Sequence, residues 1–436
     1  GAQEKFRCCG TEFKRPRAAT GMGQGKDPEL VTESPAFKPN HIQAEPHPKR
    51  GLTCRHGRVN PLPVDIVVNG ARTARMRITV FIRSLGVGGA QISARRLAEA
   101  LAGRGYTVDL VCTEGGVAAQ QRTWPNAPRV VVLPARSRLG ENRVLARYLR
   151  QVRPHAVLSN LTTSNIVAIA AKLLTGRRTA VVAIERQAIP PAGWSRQRVV
   201  AYRLLVPILY RWADWVVGVS VGVTREVGAF ARLHGSSRLQ TIYNWIEPGE
   251  LQERSDAPVD HAWLQQSSVP VLVAVGRLDA AKDFPTLLDA FARLNERRAA
   301  YLIILGEGAE RAQLERQARR LGIADRVDLP GHVENPYPYI ANASALVSSS
   351  IFEGHQLALL EAFCLNTPVV ATDCRHGARE ILQDGRWGEL VPMRDSGALA
   401  AGMEKALTDP IDGRPRAADF TSDASINRYL ELLSEL

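Results

Sequence analysis

Two carboxylates eight residues apart, Glu353 and Glu361 in FEGHQLALLEAFC, bracket the expected start of a helix near Leu357. The first amides of a helix lack intrahelical partners and carry partial positive charge. This stretch therefore offers donors for an anionic phosphate with a carboxylate on each side. Glu361 falls about one turn into the helix and Glu353 on the loop before it, beside Gly354, so both can reach one ligand from different directions. The more ordinary reading makes one Glu a cap and the other part of a solvated face. Earlier, GRLDAAKDF (276–284) leaves an apolar run and places Arg277 and Lys282 in one loop. Arginine forks onto phosphate oxygens and lysine adds a mobile point charge, a pair that suits a diphosphate; alone, they also fit two solvated surface charges. A third candidate is SLGVGGAQ (84–91), where Gly86, Gly88 and Gly89 permit a tight turn and close approach to a ligand before a helix near Gln91. It is not a dinucleotide fingerprint, because Gln91 holds the last glycine position. GMGQGKD (21–27) likewise lacks the first glycine and the hydroxyl residue of a phosphate-binding loop.

The elements that must position these groups begin at Met76. RITVFI (77–82), YTVDLVCT (106–113), RVVVLP (129–134), HAVLSNL (155–161), TAVVAIE (179–185) and WVVGVS (215–220) alternate with helical patterns. After Trp245 the rhythm restarts with VPVLVAVG (269–276), AYLIILG (300–306), RVDLPG (326–331), SALVSSS (344–350) and TPVVATD (367–373). Near-continuous apolar strands of this kind are buried on both faces, as in parallel sheets covered by helices. The expectation is an α/β protein of two doubly wound Rossmann-like domains, joined near Ile246 to Ala262, where EPGELQERSDAP reads as linker. Ligands of such sheets lie at the carboxyl ends of the strands, here the interdomain cleft.

Composition bounds the function. The 436 residues are 45% hydrophobic and 23% charged, which excludes disorder throughout. Lys and Arg outnumber Asp and Glu by 56 to 43, a net +13 that favours polyanionic partners without naming one. Residues 1–75 carry 13 basic and 7 acidic groups, and so hold six of those thirteen charges. Their Pro, Gly and basic content reads as disorder and as an extension upstream of a native start at Met76, with no signal-peptide architecture. No apolar run approaches a transmembrane length. Cys8, Cys9, Cys54, Cys112, Cys364 and Cys374 form no CxxC pair, so reduced thiols in a cytoplasmic protein are expected, and no structural zinc.

Taken together, the three motifs resemble the retaining GT-B glycosyltransferases of family 4 (glycosyl transferases group 1). The resemblance covers about residues 76–436: GGAQ near the start, VSVGV and IYNWIEP at the junction, GRL with Lys282, GEGAE at 306–310, and Glu353 with Glu361. It implies an acceptor-side domain over 76–245, a nucleotide-sugar-binding domain over 246–410, and a segment over 411–436 whose helix returns to the first domain. By resemblance, Arg277 and Lys282 hold the donor diphosphate and Glu361 the ribose hydroxyls. Glu353 sits near the transferred sugar, with Arg277, Lys282 and Glu353 the catalytic candidates. The backbone at Leu357 and Ala358 meets the donor phosphates and that of His332 and Val333 the base, with Gly88, Gly89 and Gly354 as further donor-binding residues. Gln91, Leu357 and Asn366 depart from the residues usual at those places. Where many relatives carry a sugar-facing His, this chain has Glu185 and Arg186, taken as acceptor-side candidates. His355 and His376 are expected to be exposed or to pack.

The diphosphate leaving a nucleotide sugar gains negative charge, which needs a divalent metal or fixed cations and amides. No Asp-x-Asp occurs in the chain, so the expected transfer needs no metal and no cofactor. The expected partners are a nucleotide sugar, with UDP as the nucleotide, and a saccharide or lipid-linked acceptor of cell-surface glycan assembly. An anionic membrane surface joins them on account of Arg196, Arg198, Arg203 and Arg211. These interleave with Tyr202, Leu204, Leu205, Ile208, Leu209, Tyr210 and Trp212, although a core helix with a charged rim fits the same residues. A sugar-nucleotide epimerase of the same fold is the rival. A basic nucleic-acid-binding protein is disfavoured, since nearly half the charge lies in the tail and no recognition module appears, so no nucleic-acid partner is expected.

Overall fold

The computed structural model describes residues 76–86, 88–114, 127–135, 137–176, 179–187, 195–266 and 268–436. The expectation for residues 1–75 lies outside these. Two parallel sheets form in sequence, and both belong to one compact unit. The first contains β1 (Arg77–Phe81), β2 (Thr107–Cys112), β3 (Arg129–Val132), β4 (Ala156–Asn160), β5 (Ala180–Glu185), β6 (Trp215–Gly218) and β7 (Leu239–Thr241). The second contains β8 (Val271–Val275), β9 (Tyr301–Leu305), β10 (Val327–Gly331), β11 (Ala345–Ser348), β12 (Val369–Thr372) and β13 (Glu389–Val391). Their orders, β3-β2-β1-β4-β5-β6-β7 and β10-β9-β8-β11-β12-β13, reverse beside β1 and β8. Ile78 pairs with Val108 on one side and with Ala156 on the other, and Leu272 pairs with Leu302 and Ala345. The carboxyl ends on either side of each reversal are where loops open a crevice.

β-branched runs supply the inner strands, which are buried on both faces: Ile78, Val80, Val157, Val181, Val182, Val273 and Ile303 are enclosed. Edge strand β3 differs from the expectation of full burial, since only one neighbour and partial helix cover reach it and Val132 is half exposed. Short polar residues start several helices. Ser137, Ser195, Ser220 and Asp395 each accept a hydrogen bond from an amide three residues on.

The stretch read as linker contains a helix, Pro248–Ser255. Proline at its first turn, Glu250 near the amino end and an Arg254–Glu250 pair of 3.2 Å favour the helix, and burial of Leu251 anchors it. The chain crosses between the sheets at Ile246 and again at Thr421. The two crossings are bridged as parallel neighbours, with the Ile246 amide donating to the Phe420 carbonyl at 2.9 Å. Beyond them, the helix Ser422–Ser434 lays Ile426, Tyr429, Leu432 and Leu433 into the first sheet's core, beside Trp245.

Candidate functional site

Loops at the carboxyl ends of β8, β9 and β11 build one wall of the crevice. Gly306 has φ +150, and a Cβ there would sit 1.9 Å from the Gly276 carbonyl oxygen, so the loop after β9 lies directly on the GRL loop after β8. The loop after β11 zips onto the same segment: the Ile351 amide donates to the Ala281 carbonyl at 2.9 Å, and the Ser349 hydroxyl to the Lys282 carbonyl at 2.7 Å. This framework holds Lys282 Nζ 2.6 Å from Glu353 Oε1, which also accepts from the Ser350 hydroxyl at 2.8 Å. Both side chains are partly open to solvent. Arg277 leaves the same loop as a largely exposed side chain, 3.1 Å from Asp279.

The helix Leu357–Cys364 starts one step beyond this pair, at the residue expected from its sequence, and no side chain caps its first amides. Leu357 and Ala358 are half-buried there, while His332 is exposed and Val333 half-buried just past β10. Across the crevice the helix Gly89–Gly103 begins two residues before Gln91. Gly88 stands at its uncapped start, and no acidic residue lies in its first turn.

Glu361 is buried rather than on a solvated face. Its Oε1 lies 3.4 Å from the Tyr337 hydroxyl and 3.7 Å from Arg96 Nη2, a guanidinium that comes from the first sheet's helix. Arg96 Nη2 also donates to the Tyr337 hydroxyl at 3.1 Å, and its Nη1 to the Trp245 carbonyl at 3.4 Å. Burial pushes the Glu361 carboxyl up, while Arg96, the Tyr337 hydroxyl and Arg254 pull it back down. Arg96 and Tyr337 were not among the residues singled out from sequence. No local signal marked them: Ala94, Leu97, Ala98 and Leu101 form the helix's apolar stripe, Arg96 lies about 100° outside its nearer edge, and its partners are distant in sequence.

Glu185 ends β5 and Arg186 follows it, the two turned to different sides as the alternation of an extended chain requires. Glu185 is fully enclosed. Its carboxylate accepts from the Thr162 hydroxyl at 2.8 Å, from Asn165 Nδ2 at 3.0 Å and from the Tyr210 hydroxyl. Burial raises this carboxyl to about 7 against the pull of those donors. In this arrangement Glu185 does not open on the crevice. Arg186 is buried too, donating to Asn160 Oδ1 at 2.7 Å and Asn244 Oδ1 at 2.6 Å, and Asn244 in turn donates to the His355 carbonyl at 3.2 Å. The loop bearing Glu353 touches Arg186 directly: a Cβ on Gly354 would lie 2.2 Å from the Arg186 carbonyl oxygen.

His355 packs between Tyr243 and Phe420, with ring centroids 5.3 and 5.2 Å away, and burial pushes its imidazole down to about 3. His376 pairs with Glu226 of the first sheet's helix at 2.7 Å. Both are interdomain packing residues. Cys112, Cys364 and Cys374 are free thiols, and among the described residues no group of three or more His, Cys, Asp or Glu could hold a metal ion. The helix Arg196–Leu209 is divided: Tyr202, Val206 and then Tyr210 enter the core, while Val200, Leu204, Leu205 and Ile208 are exposed among its arginines. Among the described residues no helix is long and apolar enough to cross a membrane.

Two family models match the chain: one described as Glycosyltransferase Family 4 over residues 87–250, and one as Glycosyl transferases group 1 over residues 269–409. The N-acetylgalactosamine-N,N'-diacetylbacillosaminyl-diphospho-undecaprenol 4-alpha-N-acetylgalactosaminyltransferase of Campylobacter jejuni is 28% identical over 57% of this chain. The match spans 66% of that protein, just under two thirds of its length. A second Campylobacter jejuni protein, the GalNAc-alpha-(1->4)-GalNAc-alpha-(1->3)-diNAcBac-PP-undecaprenol alpha-1,4-N-acetyl-D-galactosaminyltransferase, is 25% identical over 83% of this chain and 99% of its own. Among solved structures, Anabaena HepE in complex with UDP and glucose superposes with a TM-score of 0.71 at 22% identity. It covers 83% of this chain and 100% of that one, a likeness of fold.

Proposed function

The chain belongs to the family 4 glycosyltransferases with the GT-B fold, and from that premise we propose that it moves a sugar from a UDP-sugar to a saccharide or lipid-linked saccharide in cell-surface glycan synthesis, retaining the anomeric configuration. The observation that carries this reading is the Lys282–Glu353 pair, held at the carboxyl ends of β8 and β11 beside an uncapped helix start. A diphosphate entering there exchanges Lys282's carboxylate for phosphate oxygens. Glu353 is thereby released toward the sugar, and the amides of Leu357 and Ala358 take the opposite side of the phosphates. Arg277 adds charge from the rim. These fixed donors stabilise the leaving diphosphate as its charge develops, so the proposed transfer runs without a metal. Glu361 takes the ribose hydroxyls, and the sugar departs and is attacked on one face of its ring.

The acceptor enters against the first sheet. The undecaprenol-linked substrates named for both Campylobacter relatives support a lipid-linked acceptor here. The exposed apolar residues and arginines of Arg196–Leu209 support attachment to an anionic bilayer, at the inner face of the cytoplasmic membrane.

The test is product analysis. UDP-glucose, UDP-galactose and their N-acetyl forms are each incubated with the protein, EDTA and undecaprenyl-diphosphate-linked saccharides in vesicles. Free UDP with an elongated acceptor, its new bond of the donor's anomeric configuration, is the expected result. An altered sugar still attached to its nucleotide would establish the epimerase instead.

A further inference from the structure

Arg96 is a cation from the first sheet's helix whose guanidinium reaches across the domain boundary. It is buried, and its guanidinium reaches the junction at the Trp245 carbonyl and the second sheet's Tyr337 hydroxyl and Glu361 carboxylate, at 3.4, 3.1 and 3.7 Å. Other charged groups gather on the same cluster. Arg254, from the junction helix, lies 4.6 Å over the Tyr337 ring and 3.2 Å from Glu250. Glu250 and Glu247 support the Arg96 charge, and burial first and then Glu361's charge push up the Cys364 thiol on Glu361's own helix. Three segments that could move relative to one another thus converge on Glu361. A buried carboxylate with such neighbours is fixed in place only while the guanidinium stays opposite it.

We propose that Arg96 is a positioning residue for the donor: it holds the Glu361 carboxylate ready for the nucleotide's ribose, so that the nucleoside subsite of the second domain is completed by the first. This rests on the donor-site reading above. Nucleotide binding and the arrangement of the two sheets are then coupled. A nucleotide that needs Glu361 in this position binds better to the form in which Arg96 is docked, and stabilises that form in return.

The probe is UDP, titrated calorimetrically into the full chain and its Arg96→Gln, Arg96→Lys, Glu361→Gln and Glu226→Gln variants, each first shown to melt cooperatively. Glu226→Gln loosens a different contact across the same boundary, that with His376. Removing the Arg96 charge leaves only the Tyr337 hydroxyl and Arg254 to oppose burial at Glu361, so its carboxyl holds a proton to higher pH and loses its grip on hydroxyl donors as the pH falls. Arg96→Gln is expected to weaken UDP roughly tenfold relative to the parent at pH 8, and by a further factor of about three or more at pH 6. Arg96→Lys should restore the pH-independent ratio, and Glu226→Gln should leave UDP affinity within about twofold. A purely architectural arginine would cost the same factor at both pH values. That result, failure of lysine to rescue, or an equal loss in Glu226→Gln overturns the proposal. If Glu361→Gln binds UDP as the parent does, the coupling falls while the transferase reading stands. If the parent binds none of UDP, GDP or ADP, both fall together.

Discussion

At the carboxyl end of the second sheet, charged side chains stand partly in solvent: Lys282 is 25% exposed, Glu353 17% and Arg277 70%. At the same end of the first sheet, Glu185 is wholly enclosed by Thr162, Asn165 and Tyr210, and Arg186 is bolted to Asn160 and Asn244. The same doubly wound topology therefore puts polar residues at the carboxyl ends of its strands to opposite uses. In the second sheet they sit in two partly open ion pairs, Lys282–Glu353 and Arg277–Asp279, whose partners a ligand can exchange. In the first they are consumed in fixing the helix after β4, Tyr210 and the junction segment at Asn244. Fold alone does not say which end residues are reactive; accessibility and the ease of exchanging partners do.

The largest expected effect breaks the comparison on its open side. If Lys282 meets the leaving diphosphate as proposed, Lys282→Ala should lower turnover by about 10²- to 10³-fold in steady-state kinetics with the donor varied, at an unchanged melting temperature. Wild-type turnover in a folded Lys282→Ala protein would remove the second sheet's claim to the chemistry. On the sealed side the effect is on stability. Burial raises the folded pKa of Glu185 from an ordinary 4.5 to about 7, so its contribution to stability is complete below about 4.5 and is lost as pH rises through about 7. Glu185→Gln imitates the protonated acid. It should therefore remove that contribution's decline between pH 5 and 8 and make the variant more stable than the parent at pH 8, by up to about 3 kcal/mol in denaturant titrations. A loss of turnover as large as Lys282→Ala's, with the fold intact, would place Glu185 in the chemistry after all. The smallest effect lies on the outer face of the first sheet. Replacing Leu204 and Leu205 by Ser should lower flotation of the protein with anionic vesicles a few-fold, roughly as expected for losing two interfacial side chains, and leave transfer to a water-soluble saccharide unchanged.

Inner strands were legible because β-branched runs buried on both faces need no context: Ile78 to Phe81 or Leu302 to Leu305 could hardly pack otherwise. The three-residue edge strands β7 (LQT) and β13 (ELV) were not, since their strand character comes from a neighbour's ladder rather than from their own residues. Pro248 to Ser255 was read as linker because its polar composition outweighed the proline and Glu250 that start a helix. In the site, Arg277, Lys282, Glu353 and the helix at Leu357 were placed by local spacing. Arg96 was missed because its partners Tyr337 and Glu361 lie more than two hundred residues away, and only the tertiary fold brings them together. Glu185 and Arg186 were grouped as neighbours in sequence, although the alternation of an extended chain turns them to different sides.

The paired crossings at Ile246 and Thr421 bear on how such a molecule can be rebuilt. Everything between them leaves and re-enters at a single hydrogen-bonded pair of backbone segments, while the helix after Thr421 is spoken for by the first sheet's core. The second sheet is thus an insertion whose two ends already touch, the geometry in which domain insertion and circular permutation are best tolerated. It forms a cassette: residues 247–420 begin and end side by side, so replacing them with those of a relative leaves the spacing of the host's two attachment points unchanged.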